Sequence, residues 1–171
     1  MLLDTPVCDF GWQAPDFTLS DPDGTAFTMR DHLGDKGLLI MFICNHCPYV
    51  KRIAEQLATD TNALMAQGVN VLAVMSNDYE QHPSDNPENM KIFATQSGFK
   101  FPYLVDHDQS VGQAYGAVCT PDFFGFNAAG ELQYRGNMDE LLDAMSEIAA
   151  TGQGPRKQTP SMGCSIKWRG Q

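Results

Sequence analysis

Two cysteines separated by two residues, Cys44 and Cys47, are the side chains of this sequence best suited to chemistry. They directly follow the apolar run 38–43, which is typical of a buried strand, and they precede a helical pattern that begins at Pro48. A helix N-terminus carries partial positive charge and unpaired N–H groups, and both stabilise a thiolate. The spacing therefore predicts a dithiol–disulfide couple with at least one cysteine of low pKa.

The pattern leaves open which of the two thiols attacks. We expect Cys44 to be the nucleophile, because it lies at the open end of the strand, and Cys47 to resolve the mixed disulfide. Pro48 suits the first helical position, however, and this would make Cys47 the N-cap residue and the alternative nucleophile. His46 lies between the thiols, where an imidazolium favours the thiolate and hence the reduced form. Asn45 is expected only to permit the turn.

The surrounding pattern predicts an α/β fold in which strands and helices alternate. We expect one domain over residues 1–171, with a mixed central sheet, helices on both faces, an N-terminal β-hairpin and a second hairpin near the end. Residues 155–171 are expected to form a flexible C-terminal tail, and the polar segment 76–87 a solvated loop. The expected strands cover 38–43, 69–75 and 103–105, and the expected helices cover 48–67, 86–98, 110–115 and 139–150.

Composition limits the classes of molecule that this chain is expected to bind. The net charge is −10 and the sequence pI is about 4.6, so a phosphate backbone would be repelled and nucleic acid is not expected to bind. No apolar stretch approaches the ~20 residues that span a bilayer, and the first residues do not resemble a secretory signal. We therefore expect a cytoplasmic location, where most thiols are kept reduced and cysteines more often do chemistry than form bridges.

The order of these elements, with Cys-x-x-Cys after the first central strand, resembles the thioredoxin fold. Ala14-Pro15-Asp16-Phe17-Thr18-Leu19 before a hairpin is similar to the start of peroxiredoxin-like (AhpC/TSA) and TlpA/ResA-type proteins, and Val118-Cys119-Thr120-Pro121 precedes the last hairpin. The resemblance implies a three-layer sandwich in which Pro121 is cis and faces the dithiol, while the backbone of Thr120 pairs with a substrate strand. It also places Cys119 near the dithiol, as a third redox thiol, a metal ligand or simple packing.

One cysteine in the tail also carries a hypothesis. Cys164 follows Gly163 and lies close to Lys167 and Arg169, and basic neighbours can activate a thiol. It is therefore either an additional redox thiol, which resolves a sulfenic acid or a mixed disulfide, or an idle tail residue. Arg135 is a weaker candidate for polarising a peroxide or binding an anion.

The sequence departs from the peroxiredoxin pattern Pro-x-x-x-Thr-x-x-Cys, because alignment puts Cys44 at the threonine and Cys47 at the peroxidatic position. We therefore expect a thiol–disulfide oxidoreductase that acts through a mixed disulfide, with a thiol electron donor and a protein or small-molecule disulfide as partners. A thiol peroxidase that reduces hydroperoxides through a sulfenic acid is the alternative. The second alternative is a non-enzymatic module that binds a metal ion with Cys44, Cys47, Cys119 and His46. The main expectation requires no cofactor and no metal.

Overall fold

Strand β4, the apolar run that precedes the dithiol, lies at the centre of the main sheet. The computed structural model describes residues 1–171. Its helices are α1 (Pro48–Ala66), α2 (Pro87–Ser97), α3 (Ser110–Tyr115) and α4 (Met138–Thr151), with short 3-10 turns at Met29–His32 and Pro83–Asp85. Its strands are β1 (Leu2–Asp4), β2 (Thr18–Ser20), β3 (Ala26–Thr28), β4 (Leu38–Phe42), β5 (Asn70–Met75), β6 (Tyr103–Val105), β7 (Cys119–Thr120), β8 (Asp122–Phe126), β9 (Leu132–Tyr134) and β10 (Met162–Ser165).

Seven strands form the main sheet in the order β3-β2-β6-β5-β4-β8-β9. β4, β5 and β6 run parallel, whereas the two hairpins, β2–β3 and β8–β9, add antiparallel strands on either side. The expected mixed sheet and both expected hairpins are therefore confirmed. Parallel pairing of β4 with β5 brings their carboxyl ends to one edge, so the segments after these strands lie side by side.

The sheet is covered on both faces, as the unbroken apolar sequence of β4 requires. Leu39 and Met41 point toward the core shared with α1, α2 and α4, and Ile40 and Phe42 point toward the core shared with α3. Every residue of β4 is buried. These two cores hold β4 rigidly and fix the position of the residues that follow it. No helix is both long and apolar enough to cross a lipid bilayer.

The helix that follows the dithiol begins as its sequence predicts. Cys47 occupies the N-cap of α1 in an extended conformation, and Pro48 takes the first helical position. No side-chain oxygen caps this end, in contrast to α2, where the Asn86 side chain accepts a hydrogen bond from the Asn89 N–H. The first N–H groups of α1 are therefore available to a sulfur atom at the N-cap.

The C-terminal segment differs from the expected flexible tail. Residues 162–165 form β10, which pairs antiparallel with β1 on one side and with β7 on the other. Gly163 allows this close approach, because a Cβ atom there would overlap the backbone carbonyl of Thr120. The sequence did not reveal this second sheet because its strands have only two to four residues each, too few for a periodic pattern.

Candidate active site

The two cysteines of the motif lie side by side between β4 and α1. Both are almost fully buried, with relative exposures of 1% for Cys44 and 0% for Cys47, and all five cysteines of the chain are free thiols. A surface cavity of about 280 Å³ opens beside them and is lined in part by Asn45 and His46, the two residues between the cysteines. The motif therefore lies just beneath the surface rather than in open solvent.

Thr120 contacts both sulfur atoms. Its hydroxyl Oγ1 is 3.4 Å from Cys44 Sγ, and its carbonyl oxygen accepts a hydrogen bond from the Cys47 thiol at 3.3 Å. The peptide bond between Thr120 and Pro121 is cis, as the sequence resemblance implied. The structure thus brings together four of the expected site residues: Cys44, Cys47, Thr120 and Pro121.

Cys47 is the more acidic thiol of the pair. The pKa of Cys47 is lowered to about 4, and a hydrogen bond from Cys44 has the largest effect, against the opposing effect of burial. Hydrogen bonds from the Thr120 hydroxyl, the Val50 N–H in the first turn of α1 and the Cys164 thiol contribute to the same lowering. These donors surround the Cys47 sulfur, which lies at the N-terminus of α1. The partial positive charge of a helix N-terminus also stabilises a thiolate.

The pKa of Cys44 moves in the opposite direction. Its thiol donates to Cys47, and this hydrogen bond together with burial and the nearby Asp85 carboxylate raises the pKa of Cys44 well above its ordinary value. The first proton therefore leaves from Cys47, while Cys44 keeps its own. The helix begins at the second cysteine of the motif, and this position favours the alternative in which Cys47, rather than Cys44, is the nucleophile.

His46 forms an ion pair with Asp85, an aspartate that the sequence analysis did not identify. His46 Nδ1 is 2.5 Å from Asp85 Oδ2, and the hydrogen bond to this carboxylate raises the pKa of His46. Burial pushes the pKa of Asp85 upward, but hydrogen bonds from His46, from Asn77 and from the Asn45 N–H outweigh it, so that the pKa is lowered. The negative charge of Cys47 also raises the pKa of His46, so the thiolate and the imidazolium stabilise each other.

The Asp85 carboxylate anchors the backbone between the two cysteines. Its Oδ1 accepts the N–H of Asn45 at 2.8 Å and that of His46 at 3.3 Å, and its Oδ2 accepts the Asn77 amide at 3.0 Å. The Asn45 side chain accepts the Tyr103 hydroxyl at 2.8 Å, so Asn45 does more than permit a turn. The segment 76–87 is therefore partly buried, unlike the solvated loop that we expected.

The parallel pairing of β4 with β5 contained the signal that could have identified Asp85. The loop after β5 must leave the sheet at the same edge as the Cys-x-x-Cys, and Asp85 lies just before the N-cap of the next helix. A carboxylate at that place is within reach of the motif. Composition alone could not separate this aspartate from the exposed acidic residues of the chain.

The remaining cysteines differ in position. Cys119 is fully buried, its thiol points to the Pro121 carbonyl at 3.7 Å, and burial raises its pKa to about 12, which fits packing best. Cys164 in β10 lies opposite Thr120 and packs against the core cluster that contains Cys47, whose pKa it helps to lower. Burial and the neighbouring Cys47 raise the pKa of Cys164.

Arg135 is occupied by structural contacts. Its guanidinium pairs with the fully buried Asp122 at 2.9 Å and lies over the Phe124 ring, 4.3 Å from the ring centroid. It also donates to the Gly116 carbonyl at 3.0 Å. These contacts assign Arg135 a structural role and disfavour the hypothesis that it polarises a peroxide or binds an anion.

The side chains that could share a metal differ from the expected set. Cys44, His46 and Asp85 place their ligand atoms within 4.8 Å of one another, whereas Cys119 is not part of this group. Both carboxylate oxygens of Asp85 already accept hydrogen bonds, and His46 Nδ1 already faces Asp85. These atoms are arranged to hold the motif and the thiolate, which makes them poor ligands for a metal.

Comparisons with known proteins agree with this architecture. Residues 10–135 match the model of the AhpC/TSA family. The thiol-disulfide oxidoreductase ResA of Halalkalibacterium halodurans is 28% identical over 141 residues, which cover 81% of this chain and 76% of that protein. Alkyl hydroperoxide reductase E of Mycobacterium tuberculosis is 33% identical over 120 residues, which cover 64% of this chain and 69% of that protein.

A solved structure extends the similarity to the C-terminal segment. The crystal structure of an uncharacterized conserved protein from Geobacillus kaustophilus superimposes with a TM-score of 0.94 at 39% identity and covers 100% of this chain and 98% of that one. The fold is thioredoxin-like. The family match spans most of the chain, including both cysteines of the motif and the Thr120–Pro121 segment. On these grounds the chain belongs to the AhpC/TSA family, whose members include thiol-disulfide oxidoreductases and thiol peroxidases.

Proposed function

We propose that this protein is a thiol–disulfide oxidoreductase in which Cys47 attacks and Cys44 resolves. The observation that carries the proposal is the position of Cys47 at the N-cap of α1, where Cys44, Thr120 and Val50 supply hydrogen-bond donors. A thiolate is the form that attacks a disulfide, and these donors keep Cys47 ionised near neutral pH.

In the first step the Cys47 thiolate attacks one sulfur of a substrate disulfide. A bond forms between Cys47 and that sulfur, the substrate S–S bond breaks, and the second substrate sulfur leaves as a thiolate that takes a proton from solvent. Attack removes the negative charge that held the Cys44 proton. The raised pKa of Cys44 therefore falls, and Cys44 becomes able to ionise when it is needed.

In the second step Cys44 attacks the Cys47 sulfur of the mixed disulfide. A Cys44–Cys47 disulfide forms, the bond between Cys47 and the substrate breaks, and the substrate leaves fully reduced. The two cysteines give up two electrons, which the substrate gains. A thiol electron donor then restores the dithiol. The cytoplasm, where small thiols are abundant, is the location that we propose for this cycle.

The ion pair of His46 with Asp85 has a supporting role. The imidazolium pairs with Asp85 and its pKa is raised by the Cys47 charge, while Asp85 fixes the motif through two backbone N–H groups. A positive charge near Cys47 stabilises the reduced protein, so the couple should be more oxidising than one with an uncharged residue at this position.

A thiol peroxidase is the second candidate function. The burial of both cysteines favours it, since a peroxide of two oxygen atoms reaches a covered sulfur more easily than a folded protein does. In this chemistry the Cys47 thiolate attacks one peroxide oxygen, the O–O bond breaks, and the other oxygen takes up a proton and leaves as water or an alcohol. Cys44 then attacks the Cys47 sulfenic acid, which forms the Cys44–Cys47 disulfide and releases water. The similar protein from Mycobacterium tuberculosis is named alkyl hydroperoxide reductase E, and this similarity also favours peroxidase chemistry.

Stopped-flow kinetics of the reduced protein distinguish the two functions. We would follow its reaction with dithiodipyridine, a small neutral disulfide, and separately its reaction with hydrogen peroxide. The oxidoreductase proposal predicts fast reaction with the disulfide and a reaction with peroxide no faster than that of glutathione. Fast peroxide consumption would establish the peroxidase instead, and slow reaction with both probes would contradict both functions.

A further inference from the structure

The C-terminal strand β10 pairs with the edge of β7, where the resemblance to the thioredoxin fold implied that a substrate strand would pair. The backbone of Thr120 was expected to pair with substrate, but it pairs with Cys164, and its neighbour Cys119 pairs with Ser165. β10 is also held by β1 on its other edge. An external polypeptide cannot take this position while β10 remains in the sheet.

The same pairing places a third thiol at the dithiol. Residues directly opposite in an antiparallel pair point to the same face, so the Cys164 side chain lies beside that of Thr120, whose hydroxyl contacts Cys44. Cys164 packs against the core cluster that contains Cys44 and Cys47. The Cys164 thiol also contributes to the lowered pKa of Cys47, in agreement with this placement.

Exposure separates the three thiols. Cys44 and Cys47 are 1% and 0% exposed, whereas Cys164 is partly exposed. Thiol–disulfide exchange requires the attacking thiol to reach a sulfur atom, so an external thiol reaches the partly exposed Cys164 more readily than either sulfur of a Cys44–Cys47 disulfide. A disulfide that includes Cys164 offers the external reductant a partly exposed sulfur atom.

From these contacts we infer that Cys164 is the exchange thiol through which an external small-molecule thiol reduces the buried dithiol. The inference rests on the proposed function, because it describes how the Cys44–Cys47 disulfide is returned to the dithiol. β10 thus acts as a built-in substrate strand that presents one cysteine to Cys47.

The exchange proceeds in three steps. Cys164, as a thiolate, attacks the Cys47 sulfur of the Cys44–Cys47 disulfide; a Cys47–Cys164 bond forms, and Cys44 leaves and takes up a proton. An external thiol then attacks Cys164, the exposed sulfur, and Cys47 leaves as a thiolate. A second external thiol attacks the external sulfur of the mixed disulfide, which frees Cys164 and releases the oxidised donor. The donor loses two electrons and the protein gains two.

The acidity of the cysteines sets the direction of the second step. A thiol of low pKa is the better leaving group, so cleavage of the Cys47–Cys164 disulfide releases Cys47 and leaves the external thiol on Cys164. The raised pKa of Cys164 makes its thiolate scarce near neutral pH, and the first step should therefore accelerate as the pH increases. Lys167 opposes this rise in the pKa.

Trapping of the internal disulfide tests the inference. The full-length Cys44→Ser variant would be oxidised with hydroxyethyl disulfide, quenched with acid, digested and analysed by mass spectrometry. The expected product is a Cys47–Cys164 disulfide, with Cys119, the other neighbouring cysteine, left as a thiol. A lasting mixed disulfide between Cys47 and the probe, with Cys164 free, would overturn the inference, as would a bond between Cys47 and Cys119.

The rate of reduction provides a second test. The oxidised Cys164→Ser variant should be reduced by glutathione roughly tenfold or more slowly than the wild type, because its remaining disulfide is buried. Cys8→Ser, which removes a partly buried cysteine elsewhere, should match the wild type. Equal rates for wild type and Cys164→Ser would overturn the inference. If instead the oxidised wild type contained no Cys44–Cys47 disulfide, the proposed function would fail, and the trapping result would still decide the role of Cys164.

Discussion

Asp85 and His46 form an ion pair in which the carboxylate is fully buried and the imidazole is partly exposed. The same carboxylate accepts the backbone N–H groups of Asn45 and His46. One residue from the loop after β5 therefore fixes both the backbone between the two cysteines and the charge of the histidine beside them.

Removal of the Asp85 carboxylate should destabilise the protein. Asp85→Ala leaves the Asn45 N–H and the Asn77 amide without their acceptor in a buried place, and we expect a loss of about 2–3 kcal/mol in the free energy of unfolding. Urea denaturation monitored by circular dichroism would measure it. The exposed Asp143→Ala variant in α4 is the matched control and should change stability little; an equal effect of both substitutions would refute the anchoring role.

The stabilisation that His46 provides should depend on pH. Because the folded-state pKa of His46 is raised above the unfolded value of about 6.5, its contribution is complete below that pH and is lost as the pH increases through the folded-state pKa. The difference in unfolding free energy between wild type and His46→Gln should therefore shrink from acidic to alkaline pH. A difference that stayed constant, or grew with pH, would contradict the ion pair with Asp85.

The ionisation of Cys47 should be visible in the ultraviolet absorbance of its thiolate. The difference in absorbance between wild type and Cys47→Ser should titrate near pH 4, because the pKa of Cys47 is lowered to about 4. The Cys44→Ala variant lacks the donor with the largest effect, so its titration should shift to higher pH. Titration at an ordinary cysteine pKa in the wild type would show that the donors around Cys47 do not stabilise the thiolate.

Arg135 should contribute to stability without taking part in thiol chemistry. Arg135→Met leaves the fully buried Asp122 without its partner, and such a loss typically costs about 3–5 kcal/mol. The rates of reaction with dithiodipyridine and with hydrogen peroxide should stay at the wild-type values wherever the variant is folded. The exposed Arg30→Met variant controls for loss of a charge; a selective fall in the rate of reaction with hydrogen peroxide for Arg135→Met would support a role of Arg135 in polarising a peroxide.

The elements around β4 could be predicted from sequence because each has a strong local pattern. The apolar run, Pro48 at the first turn and the Asn86 cap placed β4, α1 and α2 at nearly their observed positions. The dithiol came from a motif of short spacing, which depends on neighbours along the chain and could be identified without coordinates. The cis peptide bond between Thr120 and Pro121 was implied by the resemblance to thioredoxin-fold proteins, and not by the local sequence alone.

The remaining features depend on contacts between distant segments. The ion pair joins residues 46 and 85, and β10 pairs with β7 across more than forty residues, so neither has a local signature. The sequence placed Cys47 at the N-cap but left open which cysteine is the more acidic. That order also depends on hydrogen-bond donors from distant segments, and no spacing rule ranks those effects.

The most direct test of the account compares the first reaction phase of two single variants. Reduced wild type, Cys44→Ser and Cys47→Ser would be mixed with dithiodipyridine near pH 5, where an ordinary thiol of pKa about 8.5 is almost wholly protonated. We predict that the wild type and Cys44→Ser show the same fast phase and that Cys47→Ser loses it. A fast phase that survives in Cys47→Ser and disappears in Cys44→Ser would contradict the assignment of Cys47 as the attacking thiol.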